Sequence, residues 1–370
     1  MKKKIAILGA SEPHLPLYLK AKEMGLEIYC FAWSEGAFCK DYADHYYDIS
    51  ILEKEKITEI CQLEKIDGVV SNALDYAVPT VSYVSEKLNL NGISYQSSLK
   101  ATNKHLMRDA VKEANACLQP NYHIYDKDIK INRFPVIVKP SDSSSSNGVT
   151  KVNKEEDLLF AVERALLASK NKEILIEEFI DGREISVESI SYHGKHYILT
   201  ITDKETTGEP YFVETAHHQP SDLIDSIQDV VKRNVDLILT SLDIKNGASH
   251  AEFKIDEKGD VYFIELGARG GGDFISYNLV ELSTGYDYVK GMIEVALNEF
   301  KIPRISESKF SGVYFLGKDT EYIQRFIEKN KNLSWVRLFH IDEAPLKELK
   351  KSQDRSGYIV YQSNNRILIN

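Results

Sequence analysis

Short apolar runs alternate with stretches of helical period over the first ninety-odd residues. Residues 4–9 (KIAILG) end in glycine and lead into a polar turn, after which Leu15, Leu19 and Met24 recur at helical spacing. Residues 26–32 (LEIYCFA) read as a second strand, 53–64 as a helix and 67–71 (DGVVS) as a third strand. Such alternation predicts a parallel α/β sheet, a Rossmann-like module over 1–95. A dinucleotide fingerprint would place GxGxxG directly after the first strand. The turn here is Gly9-Ala10-Ser11-Glu12-Pro13, so NAD is not expected as a cofactor.

The pattern then changes. A helix is expected within 97–116, carrying Lys104 and Arg108, with Thr102 or Asn103 as its cap. Beyond Pro120 comes FPVIVKP (134–140), a strand bounded by prolines, and then the polar loop 141–148 (SDSSSSNG). Leu158, Val162, Ala165 and Leu166 repeat at helical spacing, and strand character resumes at 174–180 (ILIEEFI) and 185–190 (ISVESI). These elements predict a small α+β lid over about 120–195. Apolar positions between 223 and 244 give an amphipathic helix of about five turns. Residues 250–255 and 261–266 flank the turn formers DEKGD and predict a hairpin. Residues 267–273 (GARGGGD) are the most glycine-dense stretch, and from 301 onward no motif is legible.

Composition narrows the function. The 370 residues allow two or three domains at roughly 150 residues each. With 43% apolar and 28% charged residues the chain is expected to fold. A net charge of −10 disfavours nucleic acid as a partner. Cys30, Cys39, Cys61 and Cys117 lack CxxC spacing and read as reduced packing residues. MKKK is followed by only a short apolar run, 5–10, and no eighteen-residue apolar stretch occurs. No membrane partner is expected, and the expected address is the cytoplasm.

Candidate chemistry starts with the hairpin. If its turn sets Glu252 opposite Glu265, two carboxylates share one face, where a hard divalent cation with phosphate oxygens would satisfy both. Taken alone, they read equally as solvated edge charges. Arg269 follows among glycines, where a planar cation can reach a phosphoryl group. Lys139 ends FPVIVKP beside a loop whose N–H groups can cradle polyphosphate, although no Walker A motif is present and a surface linker has the same composition.

Lys104, Lys139 before the Ser/Gly loop, the Glu177–Glu184 spacing and the Glu252/Glu265/Arg269 hairpin, in this chain order, resemble the ATP-grasp superfamily. The likeness is to L-amino-acid ligases and carbamoyl-phosphate-synthase-like carboxylate–amine ligases, over roughly 1–300. It implies an α/β ATP-grasp fold with α+β character in the lid. A Rossmann-like pre-ATP-grasp domain (1–95) would precede an ATP-grasp domain (96–300), with 301–370 a C-terminal extension completing the core. By resemblance, Lys104 and Lys139 contact the α and β phosphates, and Ser141–Gly148, including Ser146 and Gly148, forms the mobile loop. The Glu178-Phe179-Ile180 hinge would meet adenine, Glu177 would help fix its amino group, and Glu184 would accept from the ribose. Glu252 and Glu265 match Mg²⁺ ligands, with Mn²⁺ the alternative ion, and Arg269 the arginine that stabilises the transferred phosphoryl. Many relatives carry Asn where this chain has Gly267, which puts a third metal-coordinating side chain in doubt.

The implied reaction phosphorylates a carboxylate with ATP and lets an amine displace phosphate. Segment 212–220 is similar to one that supplies a histidine near substrate in L-amino-acid ligases, which makes His217 the first choice. A hydrogen-bonded histidine pair at 217–218 remains the alternative. Gly271, Gly272 and Asp273 are candidates to grip an α-amino or α-carboxylate group. The expected partners are a small carboxylic acid and an amine, with a homodimer the oligomer that analogy suggests. The competing readings are a purine-pathway ligase acting on glycinamide ribonucleotide and a non-catalytic ATP-binding protein.

Overall fold

The near-continuous apolar runs of the first ninety residues become a buried parallel sheet, as both-sided burial requires. In the computed structural model, which describes residues 2–144, 146–306 and 308–369, β1 (Lys4–Leu8), β2 (Glu27–Ala32), β3 (His45–Asp48) and β4 (Gly68–Val70) lie in the order β3-β2-β1-β4. The α1 helix (Leu15–Glu23) covers one face through Leu17 and Tyr18. The other face is covered by α2 (Lys54–Glu64) and α3 (Val78–Lys87) through Ile57, Cys61 and Val84. Neither β3 nor α3 was foreseen: β3 is a half-exposed edge reading HYYD, and α3 mixes buried Thr80, Ser82 and Ser85 into its core face. All four cysteines are free.

The helix expected within 97–116 is two, α4 (Tyr95–Thr102) and α5 (Lys104–Glu113). Asn103 breaks them in extended conformation and caps α5 by accepting from the Leu106 N–H, so Lys104 opens the new helix. Next comes a four-stranded antiparallel lid sheet in the order β5-β8-β6-β7. Its strands are β5 (Tyr122–Ile124), β6 (Val136–Pro140), β7 (Thr150–Val152) and β8 (Ile174–Glu178), and α6 (Leu158–Ala168) packs on it. Ser145, in the serine-rich loop, lies outside the described residues.

The strand at 185–190, grouped above with the lid, belongs elsewhere. As β9 (Arg183–Tyr192) it pairs along its length with β10 (Lys195–Thr206) and with β12 in an eight-stranded sheet. The reason is its alternation: Ile185 and Val187 need an apolar layer on one side, which the large sheet and its helix provide. The sheet continues through β11 (Glu214–Gln219), the hairpin β12 (Gly247–Ile255) and β13 (Val261–Gly267), and β14 (Phe310–Leu316), β15 (Val336–Ile341) and β16 (Gly357–Ser363). Its order is β13-β12-β9-β10-β11-β14-β16-β15, so the segment without legible motifs supplies three strands.

The amphipathic helix α7 (Asp225–Ser241) packs Val231, Val235 and Ile238 on the apolar face. Two further helices follow, α8 (Val280–Thr284) and α9 (Tyr288–Ala296). Val289, Met292 and Ile293 of α9 share one core with Ile5, Ile7 and Leu17, joining the first sheet to the large one. A last helix, α10 (Tyr322–Asn330), packs Ile323 and Ile327 against β14 and β16. No helix among the described residues is long and apolar enough to cross a membrane.

Candidate active site

Strand alternation sorts the large sheet into an apolar face and a polar one. Register sets Glu184 beside Lys254 and Lys204, Ser186 beside Glu252 and Thr202, and Glu188 beside His250. Lys204 in turn faces His217. The hairpin turn does set Glu252 opposite Glu265, so the two carboxylates share this face.

Each carboxylate is matched by cations. Glu252 takes Lys204 Nζ at 2.7 Å and His250 Nε2 at 3.2 Å. Glu265 takes Lys104 Nζ at 2.7 Å, and the same ammonium donates to the Ser143 carbonyl at 2.5 Å, tying the serine-rich loop to β13. Burial would lower the His250 imidazolium, but Glu188, in close contact with Nδ1, and Glu252 outweigh it and raise it to about 9. Burial would raise the Glu252 carboxyl, yet Lys204 and His250 hold it well below the carboxylate range.

The donor set fits a hard cation: two carboxylates with oxygen donors only. Among the described residues no group of three or more His, Cys, Asp and Glu forms a cage, so the remaining positions of a Mg²⁺ ion at Glu252 and Glu265 would fall to phosphate oxygens and water. A third ligand at position 267 would have to displace the Arg269–Asp75 pair slightly. A Cβ there would lie 3.0 Å from Arg269 Cζ and from Asp75 Oδ1.

Lys139, at the end of β6, reaches Glu177 at 2.6 Å, and Arg108 holds the same carboxylate at 2.9 and 3.2 Å. Arg108 also donates to the Phe263 and Ile264 carbonyls, locking α5, β8 and β13 together. Burial would raise the Glu177 carboxyl; Arg108 and Lys139 hold it at about 2 instead. The sequence reading gave this carboxylate to the adenine amino group. In the structure it is buried and pairs with Lys139 and Arg108.

Phe179, Gly182, Glu184, Lys204, Phe212 and Lys254 line a cleft of about 350 Å³. Lys254 lies 3.2 Å from Glu184 and 5.1 Å above the Phe179 ring, giving an aromatic wall beside a carboxylate and an ammonium. Ile180 is buried behind Phe179, and Glu178 accepts from Asn121 at the lid edge. Ser146 and Gly148 sit at the far end of the serine-rich loop, where the Val149 N–H donates to the Ser146 carbonyl.

Arg269 pairs with Asp75, in the connection between β4 and α3, at 2.9 Å. The Gly271 N–H donates to Glu188 at 3.1 Å, and a Cβ on Gly271 would meet His250 Nδ1 at 2.7 Å, so only glycine fits. Gly272 opens to free space, and Asp273 pairs with Arg355 at 2.8 Å. His217 is 1% exposed, and neither ring nitrogen has a hydrogen-bond partner among the described residues. Burial and then Lys204 push it well below its ordinary range, so the ring is neutral. His218 points to the opposite face and bonds Tyr361 at 2.9 Å.

Sequence reading missed Lys204, His250, Glu188, Asp75, Arg108 and Arg355. For Glu188 and Lys204 a signal existed, the alternation of polar residues in ISVESI and TITDK. The partners of Asp75, Arg108 and Arg355 lie 69 to 194 positions away along the chain, and His250 meets Glu188 62 positions back.

Comparison with known proteins bears on the domain and the fold. The ATP-grasp domain family matches residues 132–277. A formate-dependent phosphoribosylglycinamide formyltransferase of Prochlorococcus marinus is 29% identical over 312 residues, 76% of this chain and 74% of that one. Among solved structures, an L-amino acid ligase from Bacillus licheniformis superposes with a TM-score of 0.82 at 23% identity, over 98% of this chain and 94% of the other. A phosphoribosylglycinamide synthetase from Anaerococcus prevotii gives 0.79 at 22%, over 99% and 95%. Residues 132–277 thus match the ATP-grasp domain family, and nearly the whole chain shares the fold of these solved ligases.

Proposed function

We propose that the protein joins a small carboxylic acid, an amino acid foremost, to an amine through an acyl phosphate. What carries the reading is the convergence of Lys104, Lys139, Glu252, Glu265 and Arg269 at the junction of lid, large sheet and first sheet. A binding protein without chemistry has no physical need for all five.

In this reading Lys104 and Lys139 hold the ATP phosphates, and the cleft at Phe179 and Glu184 takes the adenosine. Glu252 and Glu265 would hold Mg²⁺, which supplies charge neutralisation to the phosphates. A substrate carboxylate oxygen attacks the γ-phosphorus, ADP leaves, and Arg269 stabilises the charge on the moving phosphoryl. The amine nitrogen then attacks the acyl carbon and phosphate departs. The neutral ring of His217 is available to meet the substrate, with Gly271, Gly272 and Asp273 offering backbone and carboxylate to its α-substituents. The serine-rich loop keeps water from the acyl phosphate.

A second reading, ligation of a small acid to the amine of a phosphoribosyl compound, is favoured by the 29% identity to the Prochlorococcus formyltransferase. One screen separates the two. Phosphate release is measured with MgATP and panels of amino acids, dipeptides and ribosyl amines with small acids. Turnover with amino acids supports the first reading and turnover only with ribosyl amines the second. Silence across all panels refutes both.

A further inference from the structure

The glycine-rich segment 269–274 is held at both ends by parts of the chain outside residues 132–277. At its start Arg269 pairs with Asp75 from the β4–α3 connection, and at its end Asp273 pairs with Arg355, two residues before β16. Asp273 (φ +51°) and Phe274 (φ +69°) are consecutive non-glycine residues in left-handed backbone. L-residues avoid that conformation, and a pair of them persists only where the surroundings hold it.

Arg355 supplies the hold. Its guanidinium donates to Asp273 at 2.8 Å, to the Glu214 carbonyl at 3.0 and 3.2 Å and to the Glu214 carboxylate at 3.1 Å. Its flat side rests 3.8 Å from the Phe315 ring centre. A guanidinium engaged along its edges and on one face is fixed, and a lysine cannot reproduce that fork. Phe274 is seated in turn against Tyr358, with ring centres 4.4 Å apart.

We infer that Arg355 is a positioning residue: by fixing the Asp273 end of the segment it keeps the Gly271 N–H in place on Glu188. The C-terminal strands thereby complete the site as well as extend the sheet.

Amide hydrogen exchange on the full chain without ligands tests this. Arg355→Lys and Asp273→Asn, the latter chosen because Asn tolerates left-handed backbone, should each speed exchange over 270–276 about tenfold and leave the lid unchanged. The double variant should exchange no faster than Arg355→Lys alone, because both remove one contact. With MgATP and an acceptor from the screen, the Arg355→Lys variant should lose about tenfold in kcat/KM for the acceptor at unchanged KM for ATP. Unaltered exchange over 270–276, additive effects in the double variant, or uniform loosening of the whole chain would overturn the inference. The activity arm rests on the ligase reading and the exchange arm does not, so failure of one is distinguishable from failure of the other.

Discussion

The two faces of the eight-stranded sheet are built from the same strands and do opposite things. On β9, Ile185 and Val187 turn to one side and Glu184, Ser186 and Glu188 to the other; β12 splits Ala251 and Phe253 from His250, Glu252 and Lys254. The apolar side closes on α7 and gains by removing hydrocarbon from water. The polar side buries a run of alternating charge, Glu188–His250–Glu252–Lys204–Glu214–Arg355–Asp273, at a desolvation cost that an apolar layer would avoid. It also leaves Ser186 Oγ and both His217 nitrogens without a partner among the described residues. Buried polar groups are normally satisfied, so these orphans leave donors and acceptors open to a ligand.

The sharpest way to break this contrast is one substitution per face. Arg269→Ala should cut acceptor-dependent ADP release by about 10³-fold or more, in line with arginines that stabilise a transferred phosphoryl, with ATP affinity nearly unchanged. Single-turnover ADP release beside an ATP titration checks it, and equal turnover in variant and parent would remove the phosphoryl role from this face. Phe253→Ala, on the other side and packed against Phe263, should cost about 3–5 kcal/mol in urea unfolding. Activity per folded molecule should stay within about twofold of the parent, by the independence of distant sites. A folded but inactive variant would mean the faces are energetically coupled.

How much of this contrast the chain spells out depends on distance along it. The Glu252/Glu265 pair was legible because the short DEKGD turn sets the register of its own hairpin. Lys139 was legible as the end of a bounded strand, and Asn103 as a cap. Lys204 was not, because its partners Glu214 and Glu252 meet it only after β10 has paired with β9 and β11. Asp75 and Arg355 were beyond reach for the same reason: nothing local marks an acid whose arginine is 194 positions on, or an arginine whose acid is 82 positions back. Even where the reading was local it misplaced 185–190, since a strand's own pattern says which faces it needs and not which sheet supplies them.

A smaller effect sharpens the meaning of the orphans. His217→Leu removes two unsatisfied nitrogens while keeping the contact with Phe315, whose ring centre is 5.6 Å away. Because an unpaired buried polar group is a liability, the variant should equal the parent in stability or gain up to about 1 kcal/mol at pH 7.5, and its acceptor KM should rise. A loss of stability would mean that the ring has a partner within the protein.

The pH dependence of that same pair of proteins is the finest test. Burial, then Lys204, lowers the native His217 well below 6.5, with Arg355 and His218 adding to the effect and Glu214 opposing it. The unfolded chain takes up a proton near pH 6.5 that the native ring refuses, so the parent's stability is full above that pH and declines as pH falls. The slope for one such group approaches about 1.4 kcal/mol per pH unit. His14, pushed by burial to about 4, contributes in the same direction in both proteins and cancels from the difference. Urea midpoints measured from pH 7.5 to 5 should therefore diverge, with the Leu variant gaining on the parent at every step below about 6.5. Parallel curves would mean that the native ring takes its proton as readily as the unfolded one.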